Sequence, residues 1–386
     1  MKFDGKKIPN IISNLRNIGL IGVSDIISSG ITGIFWLYIA SILNPEEYGE
    51  LSYLISLAAM ASVFSLIGTQ NTIIVFSSKK IEIIKALQIF SLLGSSIGLI
   101  ALLILFERID IGLLCFGYVL STLSIGNLLG TKNFMGYAKY QLLQKILTVC
   151  FGLLAIIFFD YQGLIIALAL SYAPYILQII KTMKNSKTNL QLFKTKSSFI
   201  SSNYFIYVTD QIAKQFDKII IMPLLGAAVL GNYSLSLQIL GILTIFSTIA
   251  FKYILPYDST NVSTTIIKKG IIIISLIITV LGFFLTPIVI PSIFPKYAIA
   301  VDSIQILCLA VLPVSLYTIL ASKIYSIEKT VYLLYAHVLS ASIMIIGIFI
   351  LGAAFNIVGL ASTFVLSQTS TVIFLYAYLK KSSIKI

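Results

Sequence analysis

Charged residues are scarce in this sequence. They make up 11% of 386 residues, against roughly 25% in an ordinary soluble domain, while 58% are hydrophobic and the mean hydropathy is +1.01. That shortage excludes a soluble fold. Each crossing of a bilayer takes about 20 residues, so twelve crossings leave only short loops and ends, with no room for a soluble catalytic domain. Cysteine is scarce too. Cys115, Cys150 and Cys308 lie inside apolar runs with no CxxC spacing and no histidine beside them, which argues against both a disulfide framework and a metal site. Nucleophile and nucleotide-binding motifs are lacking, and no cofactor is expected. The only histidine, His337, reads as structural. The apolar run after the basic start MKFDGKKIPN has no small-residue cleavage site at its end, so the start reads as retained and not as a removed signal peptide.

Long apolar runs are what the chain has in abundance. They fall at about 18–43, 51–76, 86–106, 111–131, 141–159 and 163–180, and again at about 199–225, 229–251, 270–292, 301–322, 331–354 and 357–379. Continuous runs of this length are not the short alternating segments of an outer-membrane barrel. They predict an all-α integral membrane protein with twelve transmembrane helices in two six-helix bundles, residues 1–183 and 199–386, joined by a basic cytoplasmic linker, 184–198.

The 27 Lys and Arg outnumber the 14 Asp and Glu, for a net charge of +13. In a soluble protein this would suggest nucleic acid; here the basic residues alternate with the crossings, and no nucleic acid partner is expected. Cytoplasmic loops keep Lys and Arg. All but four fall on one side, from Lys2, Lys6, Lys7 and Arg16 to Lys380, Lys381 and Lys385. The other side has only Arg108 and Lys296, and the remaining two, Lys214 and Lys218, lie inside the seventh crossing. Both termini are therefore expected in the cytoplasm of a multi-pass plasma-membrane protein.

The two halves repeat each other. FDYQGLIIALALS (Phe159–Ser171) matches FNIVGLASTFVLS (Phe355–Ser367) without a gap at Phe, Gly, Leu, Leu and Ser, each opening the last helix of a half. LNPEEYG (Leu43–Gly49) and LGAAVLG (Leu225–Gly231) place Leu and Gly six apart at the outer turn joining the first two helices of each half. Because six is even, the copies have the same orientation, a parallel repeat with the substrate site expected in a cavity between the halves.

At LNPEEYGELS the first outer turn resembles the LGPEEYG signature of the polysaccharide flippases within the multidrug/oligosaccharidyl-lipid/polysaccharide transporter superfamily. FDKIIIMPLLGAAVLGNYSLSLQIL (Phe216–Leu240) resembles that family's motif of an Asp and a basic residue, an apolar run, a Gly, then Gly-x-Tyr. IFPKYAIAV (Ile293–Val301) resembles its Lys-Tyr turn between the ninth and tenth helices, and VGLASTFV its Gly-rich start of the twelfth. Asn44 stands where relatives have Gly, and Ser41 where they often have Arg, so no role for that Arg is carried over. The resemblance implies two bundles forming a V that opens alternately to each side of a bacterial inner membrane. The implied cargo is an undecaprenyl-diphosphate-linked oligosaccharide, an O-antigen or other surface-polysaccharide unit, with lipopolysaccharide biosynthesis as setting. A polysaccharide polymerase is a candidate partner beside membrane lipid. The oligomeric state is left open, and a monomer suffices.

The candidate site residues follow from charge placement. Asp210, Lys214, Asp217 and Lys218 have offsets of 0, 4, 7 and 8, which at about 100° per residue place them within about a third of the helix circumference. Each charge near mid-bilayer costs roughly 2.5–3.5 kcal/mol, so this face cannot point to lipid. In one reading Lys214 and Lys218 attract the diphosphate while Asp210 and Asp217 keep them ionised and positioned. In the other, Asp210 and Lys214 are a helix-stabilising pair. Asp25, in the first crossing, is a candidate for pairing with one of these lysines or for binding a coupling proton or sodium ion; the alternative is an aspartate held by hydroxyls of the first two helices. Gln211 and Gln215, with Asn203, Gln70 and Asn71, could contact sugar hydroxyls, although polar residues also join helices in a bilayer. A cation-coupled multidrug exporter of the same fold is the alternative function, with Asp25 as its cation site. A polymerase or glycosyltransferase would need catalytic groups in large outer loops, and these loops are short, so no enzyme is expected.

Overall fold

The computed structural model describes residues 8–185, 190–259, 264–327 and 329–382. Every regular element among them is helical. The first half runs through α1 (Ile8–Ile42), α2 (Pro45–Ser65, then Gln70–Ser78 past a bend), α3 (Ile84–Phe106), α4 (Ile109–Gly130), α5 (Phe134–Phe159) and α6 (Leu164–Ser171, continued by Pro174–Asn185). A short linker helix, Leu190–Thr195, precedes the second half. There α7 (Ser197–Leu225), α8 (Ala227–Leu243, then Ile245–Ser259), α9 (Thr265–Ile293), α10 (Ala300–Cys308, then Val311–Ser326), α11 (Val331–Gly347) and α12 (Ala353–Lys381) follow.

Eight stretches are singly long and apolar enough to cross a membrane, and ten if α2 and α8, each bent in the middle, count as one crossing apiece. One of the eight, Val331–Lys381, spans 51 residues and is kinked at Asn356 (φ 47°, ψ −129°), near the start of α12. α7 is not among them: its first half is rich in Ser, Asn and Tyr, and four ionisable residues fall from Asp210 to Lys218. The rods nevertheless follow the twelve apolar runs of the sequence in order.

Packing divides the chain into two compact units. Unit 1 contains residues to Phe35 and Leu57–Val208; unit 2 contains Trp36–Ser56 and Thr209–Ile386. Division at the linker 184–198 follows the repeat, whereas this one follows packing and assigns the first outer turn to unit 2. In unit 1 the central rod is α4, with 61% of its span buried, and Leu114, Val119 and Leu123 fully enclosed. α3, only 17% buried, exposes Ile97, Ile100 and Ile104, an apolar face that needs hydrocarbon around it. In unit 2 the central rod is α10, 56% buried, while α9 exposes Ile277, Phe284 and Ile288. The fourth and tenth rods are therefore equivalent in place as well as in count.

Backbone details repeat too. α2 bends by 43° and α8 by 47°. At the first bend the hydroxyl of Ser91 on α3 accepts the N–H of Ile67 (3.0 Å), and Thr69 caps the next segment by accepting from Thr72 N–H (3.3 Å), which spares freed backbone groups from hydrocarbon. Asp160 and Asn356, the second residues of the matched thirteen-residue stretches, both have positive φ, 58° and 47°. Ser171 and Ser367, the last residues, both donate to the carbonyl three positions back, at 2.6 and 2.8 Å.

The outer turns meet inside unit 2. Asn44 and Glu47 form a capping box, Asn44 Oδ1 accepting from Glu47 N–H and Glu47 Oε2 from Asn44 N–H, both at 2.9 Å. A glycine at position 44 could not do this, which gives the departure from LGPEEYG a local use. Gly49 packs so closely that a Cβ there would lie 1.9 Å from the Ala227 carbonyl oxygen, and one on Gly231 would lie 1.8 Å from that of Pro45. The contact is reciprocal: the third residue of each turn opposes the glycine of the other. Lys296 Nζ donates to the Ile42 carbonyl (2.5 Å) and Tyr297 to that of Leu43 (3.4 Å), so the Lys-Tyr turn clamps the same loop. Burial pushes the Tyr297 phenol well above its ordinary pKa, keeping it a neutral donor.

Candidate functional site

α7 places Gln211, Gln215, Asp217 and Lys218 in half-buried positions. The side chains of Asp210 and Lys214 lie outside those described; their backbone is helical, so the spacing of the stripe holds. Asp217 is engaged locally: Oδ1 accepts Lys218 N–H (2.8 Å) and Oδ2 accepts the hydroxyl of Tyr233 on α8 (3.3 Å). Lys218 Nζ reaches Gln215 Oε1 at 3.5 Å, and among the described residues no carboxylate lies within ion-pair distance of it. Asp217 thus ties α7 to α8, while Gln215 steadies a cation that no neighbouring described acid neutralises. Asn203 is spent on its own helix, its amide donating to the Phe199 carbonyl (2.9 Å).

Asp25 belongs to unit 1. Its Oδ1 accepts from the Tyr137 hydroxyl (2.5 Å) and from Gln141 Nε2 (3.2 Å), both on α5. One hydroxyl that holds it therefore comes from the fifth rod, a partner beyond the hydroxyls of α1 and α2. Nearby Ser24 donates to its own helix at the Ile21 carbonyl (2.9 Å). Gln141 Oε1 is buried with no hydrogen-bond partner, so one acceptor beside the carboxylate is unspent. A carboxylate and an amide oxygen are hard ligands suited to a proton or an alkali cation. His337 pairs with the Tyr317 hydroxyl (3.1 Å), joining α10 to α11.

Two polar joins escaped the sequence reading. In unit 1, Asn127 on α4 accepts from Ser77 on α2 (3.1 Å) and donates to Thr182 on α6 (3.1 Å). In unit 2, buried Asp258 at the end of α8 pairs with Lys268 on α9 (3.1 Å) and accepts from Thr264 and from Ser322 on α10, both at 2.8 Å. A tyrosine ladder also lies in unit 1: Tyr140 stacks on Tyr175, Tyr175 on Tyr172, and Tyr172 meets Tyr118 edge-on. With Tyr175 1% exposed, the ladder is packing rather than an open platform.

No family model matches the chain, and no curated protein matches its sequence. Solved structures match its fold. An inward-facing MATE family multidrug resistance transporter of the MOP superfamily aligns over 92% of this chain and 94% of its own, with a TM-score of 0.68 at 14% identity. The chain shares the fold of that transporter. The lipid II flippase MurJ, in an inward closed conformation, aligns over 94% of this chain and 87% of its own, with a TM-score of 0.70 at 15% identity. An outward-facing MATE transporter aligns over 95% and 96%, with a TM-score of 0.61 at 15% identity. These neighbours are transporters and a flippase, not enzymes, and share with this chain a multi-pass helical architecture.

Proposed function

We propose that this protein is a flippase carrying an undecaprenyl-diphosphate-linked oligosaccharide, such as an O-antigen repeat unit, from the cytoplasmic to the outer leaflet of a bacterial inner membrane by alternating access. The observation that carries the reading is the basic pair of α7. Lys218 sits half-buried on α7 with an amide as its side-chain partner, and Lys214 is one turn away along the same helix. A cation kept there at a cost of several kcal/mol has a use when the cargo brings a diphosphate. The sugars, whose hydroxyls each cost roughly 2–7 kcal/mol in hydrocarbon without a partner, pass through a polar cavity while the prenyl tail stays in lipid. A flippase for another lipid-linked substrate among the solved neighbours supports this choice. In this proposal both termini are cytoplasmic, and a polymerase is the partner that consumes the delivered unit.

The test is flipping of a fluorescent undecaprenyl-diphosphate oligosaccharide in proteoliposomes. Lys214→Ala/Lys218→Ala is expected to lose at least tenfold in rate with normal insertion, from roughly 1.4 kcal/mol or more of lost charge attraction. Wild-type rates in the double variant overturn the reading. Asp25 with Gln141 favours a second one, a cation-coupled multidrug exporter, in which Asp25→Asn abolishes drug resistance in a sensitive host. In the flippase, the same carboxylate takes the coupling proton or sodium ion, and Asp25→Asn makes flipping insensitive to the corresponding ion gradient.

A further inference from the structure

Unit 1 contains a cavity of about 350 Å³ between the bend of α2 and the start of α7, lined by Leu66, Ile67, Phe193, Ser197, Ile200 and Tyr204, with Ser201 at its edge. Leu66 and Ile200 are buried and form its floor. The polar groups of the lining are already engaged: Ser197 donates to the Lys194 carbonyl (2.8 Å), Ser201 to that of Ser198 (3.1 Å), and Tyr204 to that of Phe64 (3.4 Å). A guest therefore finds hydrocarbon walls and little call for hydrogen bonds. Exposed Phe64 and Phe205, neighbours of lining residues in the chain, continue the apolar surface past the mouth.

The rim has the opposite character. Lys194 and Lys196 fall between the lining residues Phe193 and Ser197, on a helical path kept continuous by Lys196 N–H to Leu192 and Ile200 N–H to Lys196. Both lysines are exposed, and no carboxylate among the described residues pairs with either. Phe193 fixes the linker helix over the cavity by packing on Phe90 of α3, ring centroids 5.1 Å apart. An apolar slot with two exposed lysines on the chain between its lining residues suits a hydrocarbon chain ending in an anionic headgroup.

The geometry points to a binding site for an anionic membrane phospholipid, one acyl chain in the cavity and its phosphate on Lys194 and Lys196. The site is separate from the basic pair of α7 and does not depend on the cargo assigned to the transporter. Its volume holds part of one chain, so the occupant is a resident lipid that secures the linker helix to unit 1.

Native mass spectrometry of the detergent-solubilised full chain tests this, with phosphatidylglycerol and phosphatidylcholine of identical chains as probes. Wild type is expected to retain phosphatidylglycerol preferentially. Lys194→Gln and Lys196→Gln each lower that retention about fivefold, and Ser201→Trp, which fills the mouth from an exposed position, lowers retention of both lipids. Ser197→Trp, on the same helix face, repeats the blocking test should Ser201→Trp fold poorly. Unchanged retention in the blocked variants overturns the cavity as the chain's place, and an unchanged lipid preference in the lysine variants overturns the headgroup contact. Loss of retention on adding inorganic phosphate assigns the lysines to free phosphate. Preferential retention of undecaprenyl phosphate over phosphatidylglycerol assigns the slot to the cargo's tail; either result overturns the phospholipid site.

Discussion

α1 and α7 open the two halves and hold the same place in the repeat, yet they carry charge differently. From Leu20 to Ile42 the one charged residue of α1 is Asp25, gripped by Tyr137 and Gln141 of α5. α7 carries four, of which Asp217 is held by Tyr233 and Lys218 by an amide. Around them the scaffold is duplicated: bent second rods, central fourth rods, left-handed residues at Asp160 and Asn356. A repeat keeps what positions helices and is free to vary what faces the transported molecule. The difference between α1 and α7 is therefore where the proposed function is to be tested, and their similarity is architecture.

The largest expected effect comes from the joins at the ends of α2 and α8. Asp258→Ala leaves the half-buried Lys268 without its partner and is expected to lower stability by about 3 kcal/mol, against about 1–3 for Asn127→Ala, which orphans only neutral hydroxyls. Thermal unfolding in detergent compares them; equal losses would erase the distinction between an ionic and a neutral join. Next, Gly49→Ala and Gly231→Ala each force a methyl onto a carbonyl, at about 1–3 kcal/mol. Because the two clashes are relieved by one displacement, the double variant is expected to lose less than the sum, and strict additivity in denaturation would refute a shared contact. The smallest effects distinguish the tyrosine grips. Tyr137→Phe removes the shorter bond and is expected to cost about 1 kcal/mol, with Tyr233→Phe costing less; the reverse order in unfolding measurements would make Asp217 the more tightly held acid.

Apolar runs revealed the rods because hydropathy needs no partner to be visible. Even so, α7 falls short of an apolar span once its polar first half and Asp210 to Lys218 are counted, although its length is ample. The breaks in α2 and α8 were not visible, since Leu66–Thr69 and Thr244 contain no proline and the bend depends on Ser91 arriving from another helix to satisfy the freed amide. The charged stripe of α7 was legible from spacing alone. The grip on Asp25 was not, because Tyr137 lies 112 positions away and only the folded unit brings it within hydrogen-bond distance. Asp258 and Lys268 escaped for a related reason: nothing in their spacing pairs them, and only the folded unit brings Thr264, Ser322 and Lys268 onto one carboxylate.

The reciprocal meeting of Gly49 and Gly231 has a consequence for inheritance. Where two turns touch through bare main chain, the contact specifies its partner by what is missing, a single carbon on each side. Neighbouring positions are then free to change from NPEEY to GAAVL with the join intact, so the record of common descent thins to two glycines placed six after a leucine. A fold kept by such prohibitions can drift far in its letters while its helices stay where they were.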